Sequence, residues 1–300
     1  MGAATGPGGA GGGVSGFGQQ TDVACTAESC LVAWAHGSAL VGARVGPTGT
    51  VLDSSSGALT GTVLEPPLSA GFVATDGSDF LVVWKGPTGV MATRIAASGA
   101  VLDPQGIVVS AHAGSRFVKV TRGNGHYIVA WLETVQNTPT AYATRVDSEG
   151  VVLDASPIPV GQSVAEDMFI DLAVGFGDGT AVLLWPGHQD LYGARLSNAG
   201  EPLDRQTLAL NQSVAGQLLY APRTVSVLFD GSSFLALASV VSQSGKLHLV
   251  AAHLDSNLAL IDAPTALVNG AEFDGFGRAA SLGPSVLVAW AQSTGDISAI

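Results

Sequence analysis

The chain has 300 residues, of which 47% are hydrophobic and 40 are glycine, and its net charge is −12. Its 12 Lys and Arg residues do not cluster, which argues against nucleic acids and anionic membrane surfaces as partners, because both require grouped cations. Gly, Asp, Ser or Pro interrupts every apolar run before the roughly 18 residues of a membrane span, so we predict a soluble chain without a transmembrane segment.

Residues 1–12 are predicted to be a flexible glycine-rich tether, since nine of the first eighteen residues are glycine. Such a tract is typical of the region after a removed export signal or a lipid-anchored cysteine. We therefore expect a secreted or cell-surface protein, lipid-anchored if the lost region carried that cysteine. A disordered cytoplasmic tail is the alternative.

Residues 13–300 are predicted to form one domain of six repeated units. Apolar runs such as "LVAW" and "LVVW" end at one recurring slot, occupied by Trp34, Trp84, Trp131, Trp185, Ala238 and Trp290. The spacings of 50, 47, 54, 53 and 52 residues predict a propeller or a solenoid. We place the unit cores at 23–60, 72–110, 117–160, 171–211, 224–269 and 278–300, with 13–18 added to the last.

Each unit contains four short segments rich in Val, Leu, Ile and Ala, separated by Gly, Asp, Asn or Ser, which predicts four antiparallel strands. The "LVVW" runs are apolar on both faces, as expected for a strand between two neighbouring blades and not for a two-sheet sandwich. The last unit stops at "GDISAI", after its third strand. We therefore predict an all-β, six-bladed β-propeller, closed when Val14 and Ser15 supply the missing strand of the last blade.

Residues 23–300 resemble the tandem propeller repeats of secreted bacterial proteins, whose pattern is "yLVvW…iygaRvd..G.vLD..g..is". The fifth unit departs from it, with Ala238 in the tryptophan slot and His253 in the arginine slot. The resemblance implies an extracytoplasmic setting and carries no single activity.

An arginine in the third segment is followed nine residues later by an aspartate, and Asp262 follows His253 at the same interval. Because this spacing recurs, we interpret it as a structural brace of the turn between the third and fourth strands. The pairs are Arg44 and Asp53, Arg94 and Asp103, Arg145 and Asp154, and Arg195 and Asp204. We interpret the recurring tryptophans as packing between blades, with sugar-stacking platforms as the alternative.

Cys25 and Cys30 are the only cysteines, and four residues separate them between the first two predicted strands. Directly opposed positions on antiparallel strands lie within disulfide reach. We predict a disulfide, which agrees with export.

The loops after the second strands of units one and four, which lie opposite in a six-membered ring, contain His36 and His188. Neighbouring loops add acidic residues, so a ligand-binding cluster at the channel mouth is predicted from His36, Glu133, Glu166, Asp167, His188, Asp190 and Glu272. Solvated loop side chains are the alternative interpretation. No catalytic residue, metal ligand or cofactor is assigned, because the G-x-S-x-G, H-E-x-x-H, Walker and EF-hand patterns are absent.

These patterns favour a monomeric extracellular binding or scaffold module that holds a protein or glycan on its loop face. The alternative is a polysaccharide hydrolase or lyase acting at the channel mouth. A purely structural role in a larger assembly is the third interpretation.

Overall fold

The computed structural model describes residues 21–36, 39–53, 57–58, 71–136, 138–162, 171–187, 191–204, 208–209, 219–242, 247–269, 273–282, 285–292 and 297–299. In these ranges every regular element is a β-strand. A search of the same ranges finds no helix long and apolar enough to cross a membrane. The tether, Val14 and Ser15 lie outside the described residues, so closure of the ring by an N-terminal strand stays a prediction.

The strands form six antiparallel sheets, and within each sheet hydrogen-bonded neighbours follow one another in the sequence. Sheet one contains β1 (Thr21–Cys25), β2 (Cys30–His36), β3 (Ala39–Val45) and β4 (Gly57–Ala58). Sheet two contains β5 (Phe72–Thr75), β6 (Phe80–Lys85), β7 (Val90–Ile95) and β8 (Ile107–Ser110). Sheet three contains β9 (Arg116–Arg122), β10 (His126–Val135), β11 (Thr138–Asp147) and β12 (Ile158–Gln162).

The second half of the chain repeats this plan. Sheet four contains β13 (Ala173–Gly177), β14 (Thr180–Pro186), β15 (Leu191–Ser197) and β16 (Leu208–Ala209). Sheet five contains β17 (Leu219–Phe229), β18 (Phe234–Ser242), β19 (Leu247–Leu254) and β20 (Thr265–Asn269). Sheet six contains β21 (Phe273–Leu282), β22 (Ser285–Gln292) and β23 (Ile297–Ala299).

The second strands of sheets two to five lie in the core. The first five residues of β6 and the first eight of β10 are buried without interruption. A strand in an antiparallel sheet is buried on both faces only when both faces of the sheet are covered. The unalternating apolar runs in the sequence therefore reflect sheets packed between two neighbours.

Consecutive sheets pack against one another in chain order. The first strands of the sheets contact each other in the series β1, β5, β9, β13, β17 and β21. Separate hydrophobic clusters lie between each successive pair of sheets. Trp84, Trp131 and Trp185 each pack towards the preceding sheet and have no exposed area. The arrangement is that of propeller blades. These three tryptophans are core residues, whereas Trp34 and Trp290 are half-buried.

The repeated arginines and aspartates form ion pairs within each sheet. In sheet one, Arg44 Nη2 lies 2.7 Å from Asp53 Oδ1, and the backbone N–H of Arg44 donates to Asp53 Oδ2 at 2.6 Å. These hydrogen bonds lower the pKa of Asp53 below its ordinary value. The same ion pairs join Arg94 to Asp103, Arg145 to Asp154 and Arg195 to Asp204.

Each of these arginines also contacts the next sheet. The Nη1 of each arginine donates to a backbone carbonyl of the next sheet, in the turn between the third and fourth strands of that sheet. The acceptors are the oxygens of Ala97, Ser148, Asn198 and Ser256 for Arg44, Arg94, Arg145 and Arg195. In sheet five, His253 Nδ1 lies 2.7 Å from Asp262 Oδ2, within its own sheet. The arginines therefore brace the turns and also connect consecutive sheets.

The predicted disulfide joins Cys25 at the end of β1 to Cys30 at the start of β2. The two residues are directly paired across the antiparallel strands, with Cα atoms 3.9 Å apart. The bridge therefore closes the first hairpin of sheet one.

Candidate functional site

Most of the ligand-binding residues predicted from the sequence fall outside the described part of the chain. These are Glu166, Asp167, His188, Asp190 and Glu272. His36 is the last residue of β2, and its side chain is outside the description. Glu133 is described with its side chain. Convergence of the seven residues at one site therefore stays a prediction.

Glu133 lies near the end of β10 and is only 4% exposed. Its Oε1 accepts hydrogen bonds from Trp131 Nε1 at 2.6 Å and Ser115 Oγ at 3.1 Å, and its Oε2 lies 3.0 Å from His112 Nδ1. His112 and Ser115 belong to the connection between β8 and β9. The Glu133 carboxylate therefore fastens this inter-sheet connection to β10, and its oxygens are engaged by internal partners.

A second group of polar residues lies on the first strands of the sheets. In each sheet, one residue of the first strand pairs with the residue just before the tryptophan slot, and we call this position the inner slot. Its six occupants are Asp22, Phe72, Lys119, Ala173, Ser226 and Arg278. The inner slot thus carries a different residue in every repeat, unlike the arginine and tryptophan slots.

The inner-slot residues of the first three sheets touch their neighbours. Asp22 Oδ2 accepts a hydrogen bond from the backbone N–H of Val73 in sheet two at 2.8 Å. Lys119 Nζ of sheet three lies 3.6 Å from the centroid of the Phe72 ring, within cation–π range. These contacts connect sheets one, two and three along their inner edges.

Asp171, two residues before the inner slot of sheet four, connects the remaining sheets. It is 2% exposed, and its Oδ1 lies 3.3 Å from Lys119 Nζ. Its Oδ2 accepts from the backbone N–H of Val225 in sheet five at 3.1 Å and lies 3.8 Å from Arg278 Nη1 of sheet six. We call Asp22, Lys119, Asp171 and Arg278 the inner-strand cluster.

Burial governs the charges of this cluster. Desolvation raises the pKa of Asp22 above its ordinary value, although hydrogen bonding from Val73 and attraction to Lys119 and Arg278 oppose the rise. Desolvation also lowers the pKa of Lys119, against attraction to Asp171 and Asp22.

The cluster is closed to solvent at Lys119 and Asp171, half-buried at Asp22 and most exposed at Arg278. The Lys119 and Asp171 side chains are 11% and 3% exposed, whereas that of Arg278 is 46% exposed. Within the described ranges, no three His, Cys, Asp or Glu residues converge as metal ligands would. The chemistry that the cluster offers is therefore an accessible guanidinium supported by buried, paired charges.

The inner-strand cluster is absent from the sequence-based prediction, which placed the binding residues around the loops. A usable signal was present, because each slot charge has only small or apolar residues immediately after it, as in "DVAC", "FVKV" and "GFGRAA". Aligning the repeats on the tryptophan slot brings Asp22, Lys119 and Arg278 into one column. The alignment does not indicate Asp171, which lies outside the inner slot. Its partners come from three other sheets and share no pattern with it in the sequence.

No protein-family model and no curated protein matches the chain. Among solved structures, it is similar to a subtype N10 neuraminidase-like protein of A/little yellow-shouldered bat/Guatemala/060/2010, with a TM-score of 0.58 and 11% identity over 93% of this chain and 92% of that one. It is also similar to a thermostable family-43 glycoside hydrolase, with a TM-score of 0.51 and 9% identity over 84% of this chain and 93% of that one. The Bacteroides ovatus xyloglucan PUL GH43B matches with a TM-score of 0.51 and 10% identity over 85% of this chain and 55% of that one.

These similarities concern the fold alone, because the identities are low. The neuraminidase fold has six blades and the family-43 fold has five, and the described residues of this chain form six sheets. The chain has a β-propeller-like fold. No family model and no sequence relative supports the expected bacterial repeat family, so only the architecture of that prediction is supported.

Proposed function

We propose that this protein binds a carbohydrate at the mouth of a central channel surrounded by its six sheets. The observation that carries the proposal is the inner slot, which holds six different residues, three of them charged. Positions that serve packing repeat from sheet to sheet, because equivalent positions have equivalent surroundings. A position that differs in every repeat of a regular frame is better explained by an asymmetric ligand.

The chemistry of the inner-strand cluster suits a polyhydroxylated ligand. Arg278 provides exposed hydrogen-bond donors, and Asp22 is partly accessible and provides a carboxyl group. Charge-assisted hydrogen bonds of this kind are stronger than neutral ones and orient a polar ligand. The names of two proteins of similar fold, a glycoside hydrolase and a neuraminidase-like protein, agree with a carbohydrate as the ligand.

The disulfide supports an extracytoplasmic setting for this binding, because such bridges persist mainly in oxidising compartments. A monomeric protein that displays its channel mouth to extracellular glycans accords with the variable loops over a regular frame. The residues predicted from the sequence would then extend the site around the mouth, except Glu133, which is buried and engaged by internal partners.

Glycoside hydrolysis is the second candidate, and the two carboxyl groups of the cluster favour it. Burial raises the pKa of Asp22, as a proton donor requires, while Lys119 and Arg278 lie beside the Asp171 carboxylate. Two carboxyl groups in contrasting surroundings are typical of a general acid with an ionised partner. Binding remains the principal proposal because Asp171 is buried and occupied by internal partners.

A screen of oligosaccharides by isothermal titration calorimetry, with chromatography of the mixtures afterwards, tests both candidates. Because Arg278 contributes charge-assisted hydrogen bonds, Arg278→Ala should weaken glycan binding about 10- to 100-fold. Arg122→Gln is the matched control, because Arg122 is the last residue of β9 and is not a member of the inner-strand cluster. This variant should bind glycans as the wild type does.

The binding proposal fails if no glycan binds, or if Arg278→Ala binds as tightly as the wild type. Release of shorter sugars by the wild type, abolished in Asp22→Asn, would establish the hydrolase instead. Intact sugars after binding would leave the binding module as the function.

A further inference from the structure

The arginines that brace the sheets show how this protein holds a guanidinium. In Arg94, Nε and Nη2 donate to the two oxygens of Asp103, both at 2.9 Å, and Nη1 donates to the Ser148 carbonyl. Arg195 repeats the arrangement with Asp204 and Ser256. One edge of the guanidinium thus binds a carboxylate side-on, and the remaining nitrogen is anchored by backbone carbonyls.

Arg278 makes the backbone hydrogen bonds of this arrangement, but no described carboxylate binds its Nε and Nη2 side-on. Nη1 donates to the carbonyl oxygens of Gly277 at 3.2 Å and Val225 at 3.5 Å, and lies 3.8 Å from Asp171. Every hydrogen bond and ion pair that Arg278 makes with the described part of the chain runs through Nη1. The edge formed by Nε and Nη2 therefore has no carboxylate partner there, on a side chain that is 46% exposed.

We infer that the ligand of this site carries a carboxylate, bound side-on by Nε and Nη2 of Arg278. The inference rests on the proposed function and names the class of carbohydrate as acidic, such as an oligosaccharide of uronic acids. Such a ligand would complete at Arg278 the arrangement that Asp103 completes at Arg94.

Local charge makes this edge suitable for an anion in a protein whose net charge is −12. Lys119 and Arg278 both lie beside Asp171, so two cations face one buried carboxylate. The other carboxyl group, Asp22, is engaged by the backbone N–H of Val73. The cluster thus brings two cations together in a protein of net negative charge.

The bracing arginines of this protein favour a carboxylate over a sulfate ester at this edge, because a carboxylate is what Nε and Nη2 of Arg94 bind. The guanidinium is planar, and its two parallel N–H groups match the two coplanar oxygens of a carboxylate. A lysine ammonium in place of Arg278 would retain the charge without the parallel donors.

The experiment compares uronate oligosaccharides with their methyl esters, which keep the sugar and its length and remove only the charge. Titration calorimetry in the presence of a chelator should show at least about 10-fold tighter binding of the free acids by the wild type. Arg278→Ala should lose this preference, Arg278→Lys should keep only part of it, and Arg122→Gln should keep all of it.

The outcomes separate this inference from the proposed function. Equal binding of acids and esters by the wild type, weakened in Arg278→Ala, would overturn the carboxylate and leave glycan binding intact. Tighter binding of sulfated than of uronate sugars would also overturn it. If neither the acids, the esters nor neutral sugars bind, both the inference and the proposed function are wrong.

Discussion

Equivalent residues in different repeats have different hydrogen bonds. Trp84, Trp131 and Trp185 occupy one slot and are equally buried. The indole N–H of Trp131 donates to Glu133, whereas those of Trp84 and Trp185 have no partner among the described residues. The residue two positions after the tryptophan decides this, because Gly86 and Gly187 stand where Glu133 stands.

This difference predicts unequal costs for one substitution. Trp→Phe leaves a similar cavity at both sites, but Trp131→Phe also deprives the buried Glu133 carboxylate of one of its donors. We expect Trp131→Phe to lower the free energy of unfolding by about 1–3 kcal/mol more than Trp84→Phe, measured in urea. Equal losses would show that the indole hydrogen bond contributes nothing.

The repeated residues were predictable from the sequence, and the residues that join sheets were not. The spacing of nine between Arg44 and Asp53 is visible in the chain, and so is the pairing of Cys25 with Cys30. The partners of Asp171 come from sheets three, five and six, and no local pattern relates them. Periodicity therefore predicted the frame, and the cluster required the packed structure.

At the scale of elements, the turns between the third and fourth strands of sheets two to five each accept a hydrogen bond from an arginine of the preceding sheet. Gly99 has a φ of +89, within the range of +73 to +102 of the positive-φ glycines described. An added Cβ there would lie 2.7 Å from Arg44 Nε of the preceding sheet. An added Cβ at Gly150 would likewise lie 2.9 Å from Arg94 Nε, and one at Gly200 would lie 2.8 Å from Arg145 Nε. These glycines are required both by the backbone conformation and by the arginine that packs on them.

Gly77 offers a matched control for Gly99. Its φ is +95, and an added Cβ there would meet nothing within 4 Å. Both alanine substitutions incur the cost of a positive φ, about 1 kcal/mol, but Gly99→Ala also displaces Arg44. We expect Gly99→Ala to cost about 1–3 kcal/mol more in thermal or urea unfolding.

A double-mutant cycle checks the reason for that difference. In an Arg44→Ala background the excess cost of Gly99→Ala over Gly77→Ala should disappear, because nothing remains to be displaced. An excess that persists in that background would assign it to the turn itself.

At the scale of the whole molecule, the inner-strand cluster makes stability depend on pH. Folding raises the pKa of Asp22 from its ordinary value of 3.8. Between 3.8 and the raised value, the folded protein keeps a proton that the unfolded chain has released, so this group's contribution to stability falls as pH rises. Above the raised pKa the loss is complete.

Asp22→Asn should therefore gain stability relative to the wild type as pH increases from below 3.8 to neutrality, since Asn cannot ionise and still accepts from Val73. Urea unfolding across that range measures it. Asp53→Asn should change in the opposite direction, because the Arg44 hydrogen bond lowers the pKa of Asp53. The same direction for both variants would contradict the burial of Asp22.

The arginine contacts with the following sheet give the molecule a polarity. Each runs forward along the chain, from sheet one to two, two to three, three to four and four to five. Through these arginines a defect in one sheet is transmitted mainly to the adjacent sheet, whereas the inner-strand cluster also joins sheets that are not adjacent. The fifth unit interrupts the series, because His253 bonds to Asp262 of its own sheet. Sheets five and six are coupled instead by apolar packing and by Arg278, so a ligand that engages Arg278 acts at the one described junction without a bracing arginine.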